Sequence, residues 1–160
     1  AVRGLEERRA PRGVGTAALL GRVPAGSAHR MGGEVGRDEG ARLYAEGLSE
    51  LEQFDLMLLG LGPDGHVASL YPEQPTLDET KRKAVGAEAK LEPFVDRITL
   101  TLPMLGRADE VLFLVTGADK ADAVFAAFAG DPSRATPGSL VRALDGKTTA
   151  VLDAAAATRL

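Results

Sequence analysis

Apolar positions along the 160-residue chain fall into two short continuous runs and several alternating or helix-spaced stretches. Phe54-Asp55-Leu56-Met57-Leu58-Leu59 is long enough for one buried strand and far too short to span a bilayer. Val111 to Val115 is a second run, of the kind that fills a central parallel strand. Between them Arg97 to Leu102 alternates, with Ile98, Leu100 and Leu102 on one face and Arg97, Thr99 and Thr101 on the other. That is strand period. Pro103 closes it, and Met104 to Arg107 begins a short connecting helix or turn. Tyr44, Gly47, Leu48 and Leu51 recur at helical spacing, which predicts a helix from an Asp38 N-cap to about Gln53. A further helix is predicted from Lys120 to Ala129, with Ala121, Val124, Phe125 and Phe128 facing the core and Gly130 ending it.

The remaining stretches are read more coarsely. Ala1 to Gly15 is charged and without clear period, and Thr16 to Leu20 can form a helical turn before Val23-Pro24. His29-Arg30-Met31 reads as a short strand, with His29 in a structural role because nothing at ligand or triad spacing accompanies it. Glu73 to Pro93 reads as a long surface excursion, a loop with one irregular helix or extended segment, and its Lys81-Arg82-Lys83 run, flanked by Glu79 and Glu88, as a solvated face. Asp131 to Gly138 is a loop. Ser139-Leu140-Val141 and Thr148 to Leu152 look like strand pieces around an Asp145-Gly146 turn, and Asp153 to Leu160 like a final helical turn or two. Helix leading directly into strand is the step that builds parallel α/β sheets. With no repeat and no linker, residues 1–160 are taken as one domain.

Composition narrows the function classes. Apolar residues make up 44% and charged residues 26%, an ordinary globular balance. The net charge of −4 and the lack of a basic block argue against nucleic acid as partner. An anionic substrate then needs a local cluster of cations. The absence of cysteine excludes disulfides, thiolate catalysis and zinc–sulfur sites. His29 and His66 are the two histidines, too few for a multi-histidine metal site. No signal-peptide pattern or membrane-length run occurs, so the expectation is a cytoplasmic protein without membrane association.

Candidate chemistry gathers just past the first run. Gly60-Leu61-Gly62-Pro63-Asp64-Gly65 must turn sharply, and His66 comes at once, with Val67, Ala68, Leu70 and Tyr71 able to start a short helix. A titratable imidazole therefore sits at the carboxyl end of a buried strand, where open α/β sheets bind ligands. Asp64 can orient the ring or cap the helix after it. With no Gly-x-Ser-x-Gly elbow and no cysteine, the nucleophile is water or a substrate group and His66 the general base; a purely structural histidine is the alternative. Arg97 starts its strand, and Lys120 comes after Thr116-Gly117 at a strand-to-helix turn whose backbone N–H groups favour an anion.

Gly60-Leu61-Gly62-Pro63-Asp64-Gly65-His66-Val67-Ala68-Ser69-Leu70-Tyr71-Pro72, Arg97 to Pro103, and Val111 to Gly117 with Lys120 together resemble the 6-phosphogluconolactonase branch of the family shared with glucosamine-6-phosphate isomerases/deaminases. The resemblance covers most of the chain from about Leu19. It implies a three-layer α/β/α sandwich with a mainly parallel, Rossmann-like sheet, here without the family's first strand and Ser/Gly-rich phosphate loop. It also implies hydrolysis of 6-phospho-D-glucono-1,5-lactone to 6-phosphogluconate, in the oxidative pentose phosphate pathway, with no cofactor. His66 corresponds to the catalytic base and Asp64 to its acidic neighbour. Arg97 and Lys120 correspond to phosphate contacts, and Gly62 and Gly65 to the turn whose N–H groups would meet the oxyanion. Arg8, in Glu6-Glu7-Arg8, matches the family's acidic-acidic-Arg segment, although the Ser-Asn pair that normally comes after it is missing. Two alternatives remain: glucosamine-6-phosphate isomerisation with deamination, or a non-catalytic sugar-phosphate-binding module. The expected partner is a small sugar phosphate, and the expected state a monomer or weak homo-oligomer.

Overall fold

The computed structural model describes residues 22, 24, 27–88, 90 and 94–160. Helix α1 spans Arg37–Gly47 and strand β1 Phe54–Leu59. Strands β2 (Ala84–Ala87) and β3 (Arg97–Leu100) lead into the short helix α2 (Leu102–Gly106) and strand β4 (Ala108–Val115). Helix α3 (Ala121–Phe128) and strand β5 (Lys147–Leu152) complete the order. The main sheet runs β1-β4-β5, and both of its pairings are parallel. β2 and β3 form a separate antiparallel pair. The architecture is an α/β sandwich built on a mainly parallel sheet.

Both apolar runs become strands of this sheet because a strand buried on one or both faces is most easily made from continuous apolar sequence. Leu59 lies opposite Phe113 and Phe113 opposite Ala150, which puts the carboxyl ends of all three strands along one edge. Met57, Leu59, Val111, Phe113 and Val115 point into a core shared with Val124 and Ala127 of α3 and with Val67, Leu70 and Val141 from loops. Phe113 is fully buried and meets Phe128 edge-on, with centroids 5.1 Å apart. The opposite face is bare among the described residues. Leu56 and Leu58 of β1, Leu114 of β4 and Val151 of β5 are 47–54% exposed there.

Several elements differ from the sequence expectation, each for a local reason. α1 starts after Gly36, not at Asp38, because Gly36 takes φ 90, a conformation open to glycine. It ends at Gly47 instead of Gln53. Lys83 Nζ donates to the carbonyls of Leu48, Ser49 and Leu51 at 2.8, 2.8 and 2.9 Å, at the negative end of that helix. Lys83 is thus a helix cap, whereas Lys81 and Arg82 are exposed as expected. The supposed surface excursion also contains β2, whose Ala84, Val85 and Ala87 are buried.

In α3 the inward face is Ala121, Ala123, Val124 and Ala127. Phe125 is exposed, beneath the Arg159 guanidinium, and Phe128 packs partly against the core. Residues 139–141 form no strand: Pro137–Leu140 is a 3-10 turn. There Ser139 Oγ accepts from Ser133 N at 2.8 Å and donates to Thr136 O at 2.7 Å, local bonds that compete with a sheet ladder. β5 is not one arm of a hairpin but the parallel partner of β4.

Candidate active site

The turn after β1 is held by its own hydrogen bonds. Gly62 N donates to His66 O at 2.8 Å, and Gly65 N donates to Gly62 O at 3.0 Å. His66 N donates to Asp64 Oδ1 at 3.2 Å. His66 Nδ1 lies 2.6 Å from the same oxygen. With Nδ1–H donating to the carboxylate, the neutral imidazole carries its lone pair at Nε2, the nitrogen a substrate-side proton can reach. Asp64 therefore orients the ring, one of the two roles open to it from sequence.

Gly62 is required by space. A Cβ there would strike the His66 ring at Nδ1 and Cε1 and stand 2.6 Å from Asp64 Oδ1. Gly65 takes φ 80, and a Cβ on it would come within 2.8 Å of Thr136 Cγ2. Gly138 N donates to Gly65 O at 2.9 Å, so residues 136–138 buttress the turn from behind. The N–H groups of Gly62, Gly65 and His66 are all engaged inside the turn. None of the three is left to meet an oxyanion, and the two glycines shape the turn instead.

No helix starts after His66. Val67 and Leu70, both fully buried, bond to each other (Leu70 N to Val67 O at 2.9 Å), closing a tight turn with Ala68 at φ 52. Tyr71 stacks on the imidazole, centroids 4.9 Å apart and tilted by 41°. Ser69 N donates to Thr99 Oγ1 at 3.2 Å, which ties β3 to the segment carrying His66. Arg97 lies two residues from Thr99, on the same face of β3. Its Nε is buried and without a hydrogen-bond partner. Thr99 and residues 136–138 were not recognisable as parts of the site, because their contacts join segments that no sequence spacing relates, whereas Tyr71 lies in the motif itself and was read there only as a helix-starting residue.

Lys120 lies past the carboxyl end of β4, on the edge of the sheet that also carries the His66 turn. Its side chain is 22% exposed and pairs with Asp119 at 3.3 Å. The anion at the Thr116-Gly117 turn is the protein's own. Asp153, directly after β5, receives the Gly117 N–H on both carboxylate oxygens at 3.1 Å and accepts from Ala156 N at 2.7 Å. Its position one residue beyond a parallel strand is the signal that could have marked it. Arg8 lies outside the described residues.

Among the described residues no three His, Asp or Glu side chains converge to hold a metal ion, and no helix is long and apolar enough to cross a membrane. A surface cavity of about 440 Å³ lined by His29, Arg30, Glu34 and Tyr44 includes none of the candidate residues.

A 6-phosphogluconolactonase of Mycobacterium leprae is 38% identical over 86% of this chain and 60% of its own length. A probable 6-phosphogluconolactonase of Drosophila melanogaster is 46% identical over 68% of this chain and 44% of its own length. The solved 6-phosphogluconolactonase of Trypanosoma brucei superposes with a TM-score of 0.80 at 26% identity, over 91% of this chain and 65% of that one. The chain thus spans about half the length of the curated relatives it matches. Residues 8–150 match the model for glucosamine-6-phosphate isomerases/6-phosphogluconolactonase, and the chain belongs to that family.

Proposed function

We propose that this chain hydrolyses 6-phospho-D-glucono-1,5-lactone to 6-phosphogluconate, with His66 as general base. The observation that carries the reading is the 2.6 Å contact of His66 Nδ1 with Asp64, which leaves Nε2 as the proton acceptor at the carboxyl end of β1. Nε2 takes a proton from water as the oxygen attacks the lactone carbonyl. The tetrahedral intermediate collapses, the ring C–O bond breaks, and the proton passes to the ring oxygen to give the open acid. Water is the only co-reactant.

Arg97 and Lys120 hold the phosphate in this reading. The unpartnered Arg97 Nε supports it, since a phosphate oxygen supplies the acceptor that a buried donor otherwise lacks. With the turn's N–H groups engaged, Arg8 is assigned to the oxyanion. The names of the relatives support the substrate class. A single domain acting in the cytoplasm, as a monomer or weak homo-oligomer, completes the proposal.

The test is hydrolysis of freshly generated lactone by the purified chain and by His66→Ala, with spontaneous opening subtracted. The expected outcome is a rate above background that falls by about 10² to 10⁴ in the variant. A folded chain with no rate above background overturns the reading. Ammonia released from glucosamine-6-phosphate would transfer the site to the isomerase/deaminase branch.

A further inference from the structure

The Asp153 carboxylate reaches across from the end of β5 to the turn at the end of β4. The two strands are clasped in both directions there. Asp153 N donates to Val115 O at 3.3 Å, while Gly117 N returns a bond to the Asp153 side chain. Gly117 takes φ 101, a conformation open to glycine, and Asp119 folds so close that a Cβ on Gly117 would stand 2.6 Å from Asp119 Oδ1; the bonds to Asp153 hold this freely adaptable residue in that one conformation. The next backbone bond, Lys120 N to Gly117 O at 3.1 Å, passes the turn's geometry directly to Lys120. Oδ1 of the same carboxylate also accepts from Ala156 N, so the C-terminal segment reports on the same anchor.

We propose that Asp153 is a positioning residue for Lys120: it fixes the Gly117 turn so that the ammonium is held where a sugar phosphate is bound, and keeps the Gly117 N–H out of that contact. A lysine side chain tolerates many rotamers, and holding half-buried Lys120 in one place is aided by a rigid start to its helix. The inference rests on the reading of Lys120 as a phosphate contact. It does not depend on the hydrolytic step, because it concerns binding alone.

The experiment tracks the Lys120 side-chain resonances of the whole chain during titration with 6-phosphogluconate, inorganic phosphate and unphosphorylated gluconate. Hydrogen exchange of the Gly117 amide is read alongside, in wild type and Asp153→Asn. The expected result is a shift with both phosphate ligands and none with gluconate. In the variant about tenfold more ligand is needed and Gly117 protection is lost. If the chain turns over lactone, the variant raises KM by a similar factor with kcat little changed. Should Asp153→Asn fail to fold, Asp153→Glu, which displaces the carboxylate by one carbon, is read in its place. Unchanged affinity after loss of Gly117 protection overturns the proposal. So does tighter phosphate binding in the variant, which would make Asp153 a competitor for the Gly117 amide. A wild-type Lys120 that ignores both phosphate ligands overturns it as well. A Lys120 that responds in a chain without hydrolysis strikes the hydrolase reading alone.

Discussion

At His66 the imidazole is defined by neighbours within five residues: Asp64 at Nδ1, Gly62 beneath the ring and Tyr71 stacked on it. That locality explains why the pair was legible in the sequence, where two glycines and an aspartate crowd against a histidine. It also sets a strict steric rule. Gly62→Ala places a methyl group on the ring atoms, so the imidazole must rotate off Asp64 or the turn must open. The expected outcome is a loss of about 1–3 kcal/mol of stability in a denaturant titration, by overpacking. Under the proposed function, lactone hydrolysis should fall by at least tenfold in protein that is still folded, as the imidazole leaves its orienting partner. Activity equal to wild type in the alanine variant would show that the observed ring position is not the working one. The contacts that hold the segments around Arg97 and Lys120 were less legible, because Thr99 meets Ser69 and Asp153 meets Gly117 across 30 and 36 positions of sequence.

Among the helices and strands, the ones that sequence pattern located best were those whose character is set by burial. β1 matches the expected run residue for residue, and β4 contains the expected Val111–Val115. Helix ends were misjudged, since a glycine conformation at Gly36 and a distant lysine at Lys83 decide them. β2 was expected only as an unplaced helix or extended segment within the 73–93 excursion, because its four residues, Ala84–Ala87, carry little pattern of their own and gain strand character from pairing with β3. The segment before it is anchored by Glu79, whose carboxylate accepts from Arg82 N at 3.0 Å, from Lys81 N at 2.7 Å and from Arg82 Nε at 2.6 Å. These bonds, the backbone ones first, hold its pKa down to about 2. Because the folded value lies below the unfolded one, the stabilisation is complete above the ordinary glutamate range. It is lost as pH falls from there toward about 2. Glu79→Gln should therefore lower stability at neutral pH and flatten the decline between about pH 4.5 and 2, as tracked by chemical denaturation across that window. An identical acid limb in both proteins would show that the anchor does not survive in solution.

Considered whole, the described residues form a sandwich whose three-stranded parallel sheet is clothed by them on one side. All-parallel sheets are found with both faces covered, so Leu56, Leu58, Leu114 and Val151 leave an apolar surface that water solvates poorly. The chain on its own should associate as its concentration rises, measured by sedimentation velocity. Leu58→Glu with Leu114→Glu should reduce that association while leaving the circular dichroism unchanged. A wild-type chain that is monodisperse at high concentration would contradict this. The same parallel pairing has a temporal meaning. Leu59 finds Phe113, and Phe113 in turn finds Ala150, only after long intervening stretches have been made and folded back. Chains dominated by such distant pairings fold slowly, because loop closure is met before contacts reward it. During synthesis the His66 turn emerges well ahead of the strand that must flank β1, and Asp153 emerges later still. The clasp on the β4 turn thus forms only after the turn itself has been made, 36 positions earlier, so the Gly117 conformation that it holds is acquired late and not as β4 emerges.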